Sequence, residues 1–191
     1  VSDNNQNIMF VGKPKWIPGI LGLVAARISE QFYKPAIAAS GEGNIVRASA
    51  RTIPEFNLIE SFKQFDYLFE RYGGHSMAAG FTMKRENLKI FRQSMTEYAE
   101  QHMNNVPSSP TLELEGMLNP SDINRNFLNF MLSLDPFGSS NSVPVFLAQG
   151  IQVIDTRTVG AQGSHLKITL DSGGKFFDGI AFRDGHRRLE C

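Results

Sequence analysis

The segment 70–81, ERYGGHSMAAGF, places one histidine in a stretch with very little side-chain bulk. Glycine lacks a β-carbon, so Gly73 and Gly74 permit positive φ angles and let a ligand approach the backbone closely. A glycine pair can also aim successive N–H groups into a concavity that favours anions, and His75 adds a donor that carries charge near neutral pH. These properties suit a phosphate. A tight turn into a helix or strand explains the same residues, because short glycine motifs are weak evidence.

A second polar cluster lies in the segment 46–52, VRASART. Residues two apart in a strand face the same side, so Arg47, Ser49 and Arg51 are predicted to project from one face. A hydroxyl flanked by two guanidinium groups can clamp a phosphate, since arginine donates hydrogen bonds in a bidentate fork. A solvated strand face with ordinary surface arginines is the alternative interpretation.

Phosphoryl chemistry that relies on metal ions needs clustered Asp, His or Glu ligands. The four histidines of this chain are widely spaced, and the sequence shows no tight Asp–His cluster, Ser-His-Asp arrangement or GxxxxGK[ST] loop. We therefore expect no metal site in this chain. The sequence predicts a protein that can hold a phosphate but lacks the groups needed to cleave one.

Composition and charge restrict the function classes further. The formal net charge is zero, so the chain is not a polycation that coats nucleic acid, and any such contact must come from local basic groups. Cys191 is the only cysteine, which excludes an intrachain disulfide and predicts a cytoplasmic location. No apolar run has the length of a membrane span and no signal peptide is visible, so we expect no membrane partner. The first residue is Val1 rather than Met, which indicates a piece of a longer protein.

Two modules joined by a linker are predicted to position the polar residues. Prolines, Asn and Ser at 105–110 favour neither helix nor strand, and they separate an α/β domain at 1–104 from a mostly-β domain at 111–191. The elements predicted for the first domain are helices at 19–33, 58–72 and 86–103 and strands at 34–40, 44–51 and 78–83.

The second domain is predicted to be a small barrel of the oligonucleotide/oligosaccharide-binding (OB) type. Its predicted elements are a strand at 111–117, a helix at 121–134 capped by Ser121 or Asp122, and strands within 144–160, 165–170 and 176–182. Little chain follows the last strand, so the barrel is expected to be incomplete.

The order of several motifs resembles that of a known family. The stretches W…PGILGLVAARISEQFYKPAIA, SAR and YGGHSMAAGF resemble the DHH-associated domain of the DHH phosphoesterase superfamily. The following LDPFGSSNSVPVF, VGAQGSHLKITL and DGIAF narrow the resemblance to the C-terminal part of RecJ-type single-stranded-DNA exonucleases. The resemblance runs from about Phe10 to Phe182. It departs from the family at Ile17, where relatives commonly carry His.

This resemblance implies roles for the residues singled out above. In the family, a DHH domain outside this chain binds two divalent metals, Mn²⁺ or Mg²⁺, and cleaves single-stranded DNA from its 5′ end in repair and recombination. Ser49 and Arg51 match the pair that binds the 5′-terminal phosphate. Gly73, Gly74 and His75 match the motif beside the phosphate near the metals, which gives His75 a catalytic role.

The resemblance also implies partners. The barrel is expected to bind single-stranded DNA weakly through Arg157, Lys167 and Arg183, which lie on predicted strands or turns. Arg47 of the first domain is a further candidate DNA contact. The family's own DHH domain is the expected intramolecular partner, and a single-strand-binding protein or a helicase are further candidates. Two other functions stay open: the accessory domain of a nanoRNase or cyclic-dinucleotide phosphodiesterase, which usually lacks such a barrel, and a noncatalytic nucleic-acid-binding adaptor.

Overall fold

The computed structural model describes residues 6–41, 43–104, 106, 109–138 and 141–190. Contacts divide the chain into two compact units, Val1–Thr111 and Leu112–Cys191. Some predicted features lie outside the described residues: Asn105, Pro107 and Ser108 of the linker, and Glu42 of the turn between two strands. No helix in the described part of the chain is long and apolar enough to cross a membrane.

The first unit is built on a five-stranded sheet with the strand order β1-β2-β3-β5-β4. Its strands are β1 Met9–Gly12, β2 Ala36–Ser40, β3 Ile45–Arg51, β4 Phe69–Gly74 and β5 Ala78–Lys84. β1 runs parallel to β2, and every other neighbouring pair is antiparallel. β5 therefore lies between β3 and β4, the two strands that carry the polar motifs.

Three helices pack against this sheet: α1 Leu21–Phe32, α2 Leu58–Lys63 and α3 Leu88–His102. α1 follows a 3₁₀ turn at Pro18–Ile20, where proline at the first helical position costs no hydrogen bond. α2 begins at Asn57, whose side chain accepts a hydrogen bond from the Glu60 N–H. The predicted helices at 19–33 and 86–103 and the strands at 34–40, 44–51 and 78–83 are thus present.

The two faces of the sheet have different environments. One face packs on α2 and α3 in an aromatic core, where Phe62 and Phe91 are fully buried and their rings lie 6.1 Å apart. On the other face, α1 covers β2 and β3 through Leu21 and Ala25, which pack on Ala38. The polar residues of β3 belong to this second face, at the edge of the area that α1 covers.

The helix predicted at 58–72 is wrong beyond Lys63. α2 ends there, a 3₁₀ turn spans Asp66–Leu68, and β4 begins at Phe69. The aromatic spacing suggested a single helical stripe, but Phe69 reaches the same core from a strand, with its ring 5.0 Å from that of Phe81. Pairing with β5 decides the conformation, and that contact is not encoded in local periodicity.

The second unit carries one helix and five strands in its described part. They are β6 Gly116–Met117, α4 Arg125–Leu132, β7 Phe146–Leu147, β8 Gln152–Val159, β9 His165–Ser172 and β10 Lys175–Ala181. β8, β9 and β10 form an antiparallel sheet, and β6 pairs with β7 in parallel. The described strands do not close into a barrel. The predicted fold class, an α/β domain followed by a mostly-β, OB-like region, is confirmed.

Two details of the second unit differ from the prediction. The strand expected at 111–117 is reduced to Gly116–Met117, since alternation alone supplies no pairing partner for the residues before it. The cap of α4 is Asn124 rather than Ser121 or Asp122, and its side chain accepts hydrogen bonds from two backbone N–H groups of the first turn. A 3₁₀ turn at Pro120–Asp122 holds the two residues that were predicted to cap the helix.

Candidate phosphate-binding face

β3 directs its polar side chains to one side of the sheet. Val46, Ala48 and Ala50 are buried in the aromatic core, whereas the residues between them, Arg47, Ser49 and Arg51, are exposed or half-buried on the opposite face. This alternation follows from the two-residue period of a strand. We call the sheet face that carries these three residues the polar face.

Strand register adds residues from β5 and β4 to the polar face. Ser49 lies opposite Gly80, which lies opposite Gly73, so one row across three strands has a hydroxyl at one end and no side chain over the other two positions. In the next row, Arg47 and Arg71 lie on either side of Thr82.

Arg51 is held close to the start of α1. Its Nη1 donates a hydrogen bond to the Ala50 carbonyl oxygen at 2.9 Å. A β-carbon built on Gly22 would lie 3.1 Å from Arg51 Nη2, so the guanidinium occupies the space that the glycine leaves open. α1 therefore positions the fork of Arg51, and the absence of a side chain at Gly22 permits that position.

Gly73 and Gly74 end β4 and do not form a concave nest. They pair with Gly80 and Ala79 of β5, and successive N–H groups in such a strand point to opposite edges. Gly74 has a φ of 143°, and a β-carbon there would overlap the Ala78 carbonyl oxygen. A β-carbon on Gly73 would contact nothing within 4 Å. Gly74 is thus needed for the backbone, and Gly73 leaves room above the sheet.

His75 lies in the loop that joins β4 to β5, with its side chain exposed. Its backbone N–H donates to the Ala78 carbonyl oxygen at 2.8 Å, and the neighbouring Ser76 carbonyl oxygen accepts from the Leu58 N–H at 2.9 Å. Ala78 is also the register partner of Arg51. The fold therefore places Arg51 and His75 on either side of β5, with backbones about 10 Å apart for two strand spacings.

Arg71 and Thr82 join the polar face although the local sequence pattern does not predict them there. Arg71 Nε donates to Thr82 Oγ1 at 3.4 Å, and both residues line a shallow pocket of about 310 Å³ together with Arg47, Gly73 and Gly80. The two-residue spacing of Arg71 and Gly73 would have indicated a shared face, had the segment been predicted as a strand.

The basic residues predicted in the second unit lie in different settings. Arg157 and Lys167 are register partners on β8 and β9, whereas Arg183 follows β10 in a left-handed conformation with a φ of 67°. Lys167 Nζ forms an ion pair with Asp178 Oδ2 at 2.8 Å. Hydrogen bonds from Lys167 and Thr169 lower the pKa of Asp178, and the nearby charges of Lys167 and Arg157 act in the same direction. Of the predicted contacts, Lys167 is thus already engaged by a carboxylate.

An exposed apolar strip accompanies these basic residues. Phe176 and Ile180 project from one face of β10 and are 64% and 48% exposed, and Phe182 just after the strand is 67% exposed. Ile180 is the register partner of Lys167, so the strip lies beside the Arg157–Lys167 pair. Aromatic rings next to cationic side chains are typical of surfaces on which the bases of single strands stack.

Within the part of the chain that the structure describes, no group of three or more His, Cys, Asp or Glu residues is arranged to hold a metal ion. The polar face offers guanidinium and hydroxyl groups, and a guanidinium is a cationic donor with no lone pair to give a metal. The arrangement suits an anion rather than a cation.

Comparison with known families assigns both units. The family model of the DHHA1 domain matches residues 5–101, about half of the chain. The chain belongs to the DHHA1 family. The model of the RecJ OB domain matches residues 114–191, directly after this DHHA1 domain. The pairing of the two domains identifies the chain as the DHHA1–OB part of a RecJ-type protein.

The curated relatives of this DHHA1–OB chain carry the RecJ name. "Single-stranded-DNA-specific exonuclease RecJ" of Bacillus subtilis is 33% identical over 183 residues, which are 95% of this chain and 23% of the relative. Its counterpart in Escherichia coli is 28% identical over 177 residues, which are 88% of this chain and 30% of the relative. The chain thus spans about a quarter of the length of these relatives.

Solved RecJ structures share the fold of the chain. The Mn²⁺ complex of RecJ from Thermus thermophilus aligns with a TM-score of 0.75 and 24% identity, covering 93% of this chain and 26% of that one. The Mg²⁺ complex from the same organism aligns with a TM-score of 0.69 and 21% identity, covering 93% and 32%. These matches support the α/β domain followed by an OB-like region.

Proposed function

We propose that this chain is the substrate-gripping part of a 5′→3′ single-stranded-DNA exonuclease. The observation that carries the proposal is the polar face, where Ser49 and Arg51 lie across β5 from the loop of His75. A guanidinium fork with an adjacent hydroxyl matches the charge and geometry of a terminal phosphate. The exposed imidazole of His75, whose backbone lies about 10 Å from that of Arg51, would reach the neighbouring phosphodiester.

The proposal gives five residues distinct roles. The guanidinium of Arg51 binds the 5′-terminal phosphate through its paired N–H groups. The uncharged hydroxyl of Ser49 donates a hydrogen bond to the same phosphate. His75 donates to the phosphate that is cleaved, and the missing side chain of Gly73 lets that phosphate approach the sheet. Gly74 holds the hairpin in the conformation that aims His75.

Cleavage itself is assigned to a DHH domain of the complete protein. That domain would hold the Mn²⁺ or Mg²⁺ ions, which activate water for attack on the phosphodiester. The residues of this chain would bind, orient and polarise the strand, since its described part offers no cluster of metal ligands. The single strand and the DHH domain are thus the proposed partners, and the proposed role is in DNA repair and recombination.

The RecJ OB domain argues against the accessory domain of a nanoRNase or cyclic-dinucleotide phosphodiesterase. Residues 114–191 match this domain, and its strip of exposed aromatic and basic groups would extend the grip beyond one or two nucleotides. A noncatalytic adaptor shares the DNA-binding properties and differs in having no DHH domain in its reading frame.

The proposal predicts binding without cleavage by the isolated chain. We expect it to bind a 5′-phosphorylated oligodeoxynucleotide about ten- to a hundredfold more tightly than the same strand with a 5′-hydroxyl, because a charge-assisted hydrogen bond contributes roughly 1.5–3 kcal/mol. With Mn²⁺ or Mg²⁺ it should leave both strands intact. Fluorescence anisotropy and gel analysis of labelled strands measure the two properties. Equal affinities for the two ends, or degradation by the pure chain, would contradict the proposal.

The contact between Gly22 and Arg51 predicts a variant that disturbs Arg51 without removing it. In Gly22→Val, the added side chain should displace the guanidinium, since even a β-carbon lies 3.1 Å from Nη2. We expect the preference for a 5′-phosphate to fall toward that of Arg51→Ala. Gly19→Val is the matched control, because a β-carbon at Gly19 has no neighbour within 4 Å. Equal phosphate preference in both valine variants, measured by anisotropy, would show that α1 does not position Arg51.

The OB region predicts weak, salt-dependent binding. Contacts with phosphates release counterions, so affinity should fall with salt and lie in the micromolar range or weaker (about 10⁻⁶ M). Arg157→Gln should reduce the logarithmic salt slope by about 0.7 for one lost contact. Lys167→Gln should change it less, because Asp178 already pairs with that ammonium. Phe176→Ala should weaken binding with the slope unchanged. Anisotropy titrations at several salt concentrations test this, and tight binding that ignores salt would contradict it.

A further inference from the structure

The row that contains Arg47, Thr82 and Arg71 has the chemistry of a second anion site. The three side chains come from β3, β5 and β4, and register places both arginines opposite the same threonine. Together they border the pocket of about 310 Å³ whose lining also includes Gly73 and Gly80. Two guanidinium groups thus flank a hydroxyl above a part of the sheet with little side-chain cover.

Among the residues that the structure describes, neither guanidinium in this row forms an ion pair with a carboxylate. The ion pairs among the described residues join Arg27 to Glu30, Lys63 to Glu60 and Lys167 to Asp178. Arg71 has one weak contact, from Nε to Thr82 Oγ1 at 3.4 Å, which orients the fork and leaves its terminal nitrogens to other partners. Like charges facing one cavity repel each other, so an anion between them would relieve that repulsion.

The row is offset from Arg51 along β3. Arg47 and Arg51 are four residues apart on β3, which separates their backbones by about 13 Å at the usual rise of a strand. Ser49 and Gly80 lie in the row between them. The pocket beside Arg47 and Arg71 is lined by neither Ser49 nor Arg51, and the guanidinium of Arg51 lies against Gly22 of α1. An anion seated in that pocket is therefore a different group from the one that contacts Ser49 and Arg51.

We propose that Arg47, Thr82 and Arg71 form a second subsite, which binds an internal phosphodiester of the strand whose 5′ phosphate lies at Ser49 and Arg51. The inference rests on the proposed function for the position of the 5′ end. The recognised chemistry is a singly charged phosphodiester held by two guanidinium forks and one hydroxyl. The subsite fixes the course of the strand across β5 and sets a minimum length for a good substrate.

The test combines a charge removed from the protein with a charge removed from the strand. In the complete RecJ-type protein, binding is measured to 5′-phosphorylated oligonucleotides that carry a single uncharged methylphosphonate at each successive linkage. Arg71→Gln should weaken binding of the unmodified strand about tenfold. A methylphosphonate at one particular linkage should weaken binding to the wild-type protein by a similar factor. On the strand modified at that linkage, Arg71→Gln should cause little further loss of affinity. Thr82→Val, which keeps the shape and removes the hydroxyl, should show a smaller loss at the same linkage.

Controls separate this subsite from the terminal one. Arg27→Gln removes an exposed cation on α1. It should leave the affinity for each modified strand, relative to the unmodified strand, unchanged. If Arg71→Gln lowers the affinity by the same factor whichever linkage carries the methylphosphonate, the arginine acts only through nonspecific charge attraction, and the proposal of a second subsite is wrong. If it instead abolishes the preference for a 5′ phosphate, Arg71 belongs to the terminal site and the inference fails while the proposed function stands. If wild type itself ignores the 5′ phosphate, the proposed function fails.

Discussion

On the proposed function, Arg51→Ala and His75→Ala are expected to lower the activity of the complete RecJ-type protein in different ways. Arg51→Ala should lower the rate about ten- to a hundredfold on 5′-phosphorylated strands, because a charge-assisted hydrogen bond contributes roughly 1.5–3 kcal/mol. On strands with a 5′-hydroxyl its effect should be small. His75→Ala should lower turnover about a hundredfold on both strands, since it removes a donor to the group on which charge develops.

The measurement is the rate of exonuclease digestion on matched strands that differ only at the 5′ end. His102→Ala is a suitable control for histidine loss, because His102 lies at the end of α3 and its Nδ1 contacts the Tyr98 carbonyl oxygen at 2.8 Å. Equal slowing of both strands by Arg51→Ala, together with no effect of His75→Ala, would show that the roles assigned to the polar face are wrong.

Gly74→Ala is expected to lower the free energy of unfolding of the first unit. On the proposed function, exonuclease activity of the complete protein should be lost with it. The backbone at Gly74 has a φ of 143°, and the new β-carbon would overlap the Ala78 carbonyl oxygen and lie 2.5 Å from the Ala79 Cα. A strained backbone of this kind costs about 1–3 kcal/mol before the contact with main-chain atoms is included. Urea denaturation followed by fluorescence of Trp16 measures the change in the free energy of unfolding.

Gly73→Ala is the matched control for Gly74→Ala. Its β-carbon would contact nothing within 4 Å, so the free energy of unfolding should stay within about 1 kcal/mol of wild type, the usual cost of replacing a glycine in either direction. Substrate binding should nevertheless weaken, since the methyl group rises above the part of the sheet that a phosphate must approach. Equal stabilities of the two alanine variants would refute the distinction between the two glycines.

The sequence predicted much of the polar face, because its signals are local. Alternation in β3 predicts that Arg47, Ser49 and Arg51 share a face, and the buried alanine and valine residues between them bear this out. The resemblance to the DHH-associated domain, which the DHHA1 match confirms, selected the glycine-histidine segment. The roles of these residues stay predictions until the variants are measured.

Other features of the face depend on contacts between distant segments. The local pattern predicts a helix at Arg71, since the aromatic residues before it recur at helical spacing. Only the pairing with β5 makes this segment a strand. The fit of Arg51 against Gly22 joins a strand to a helix that lies well before it in the chain, and neither residue signals the other. Short strands such as β1 carry too few residues for a periodicity.

The position of β5 between β3 and β4 has a mechanical consequence. Arg51 and the loop of His75 both take their position from Ala78, one through strand register and the other through a backbone hydrogen bond. On the proposed function, the spacing between paired strands would therefore set the distance between the group that binds the terminal phosphate and the loop that carries His75. Because Arg51 and the loop of His75 are both joined to β5, digestion would advance by one constant step.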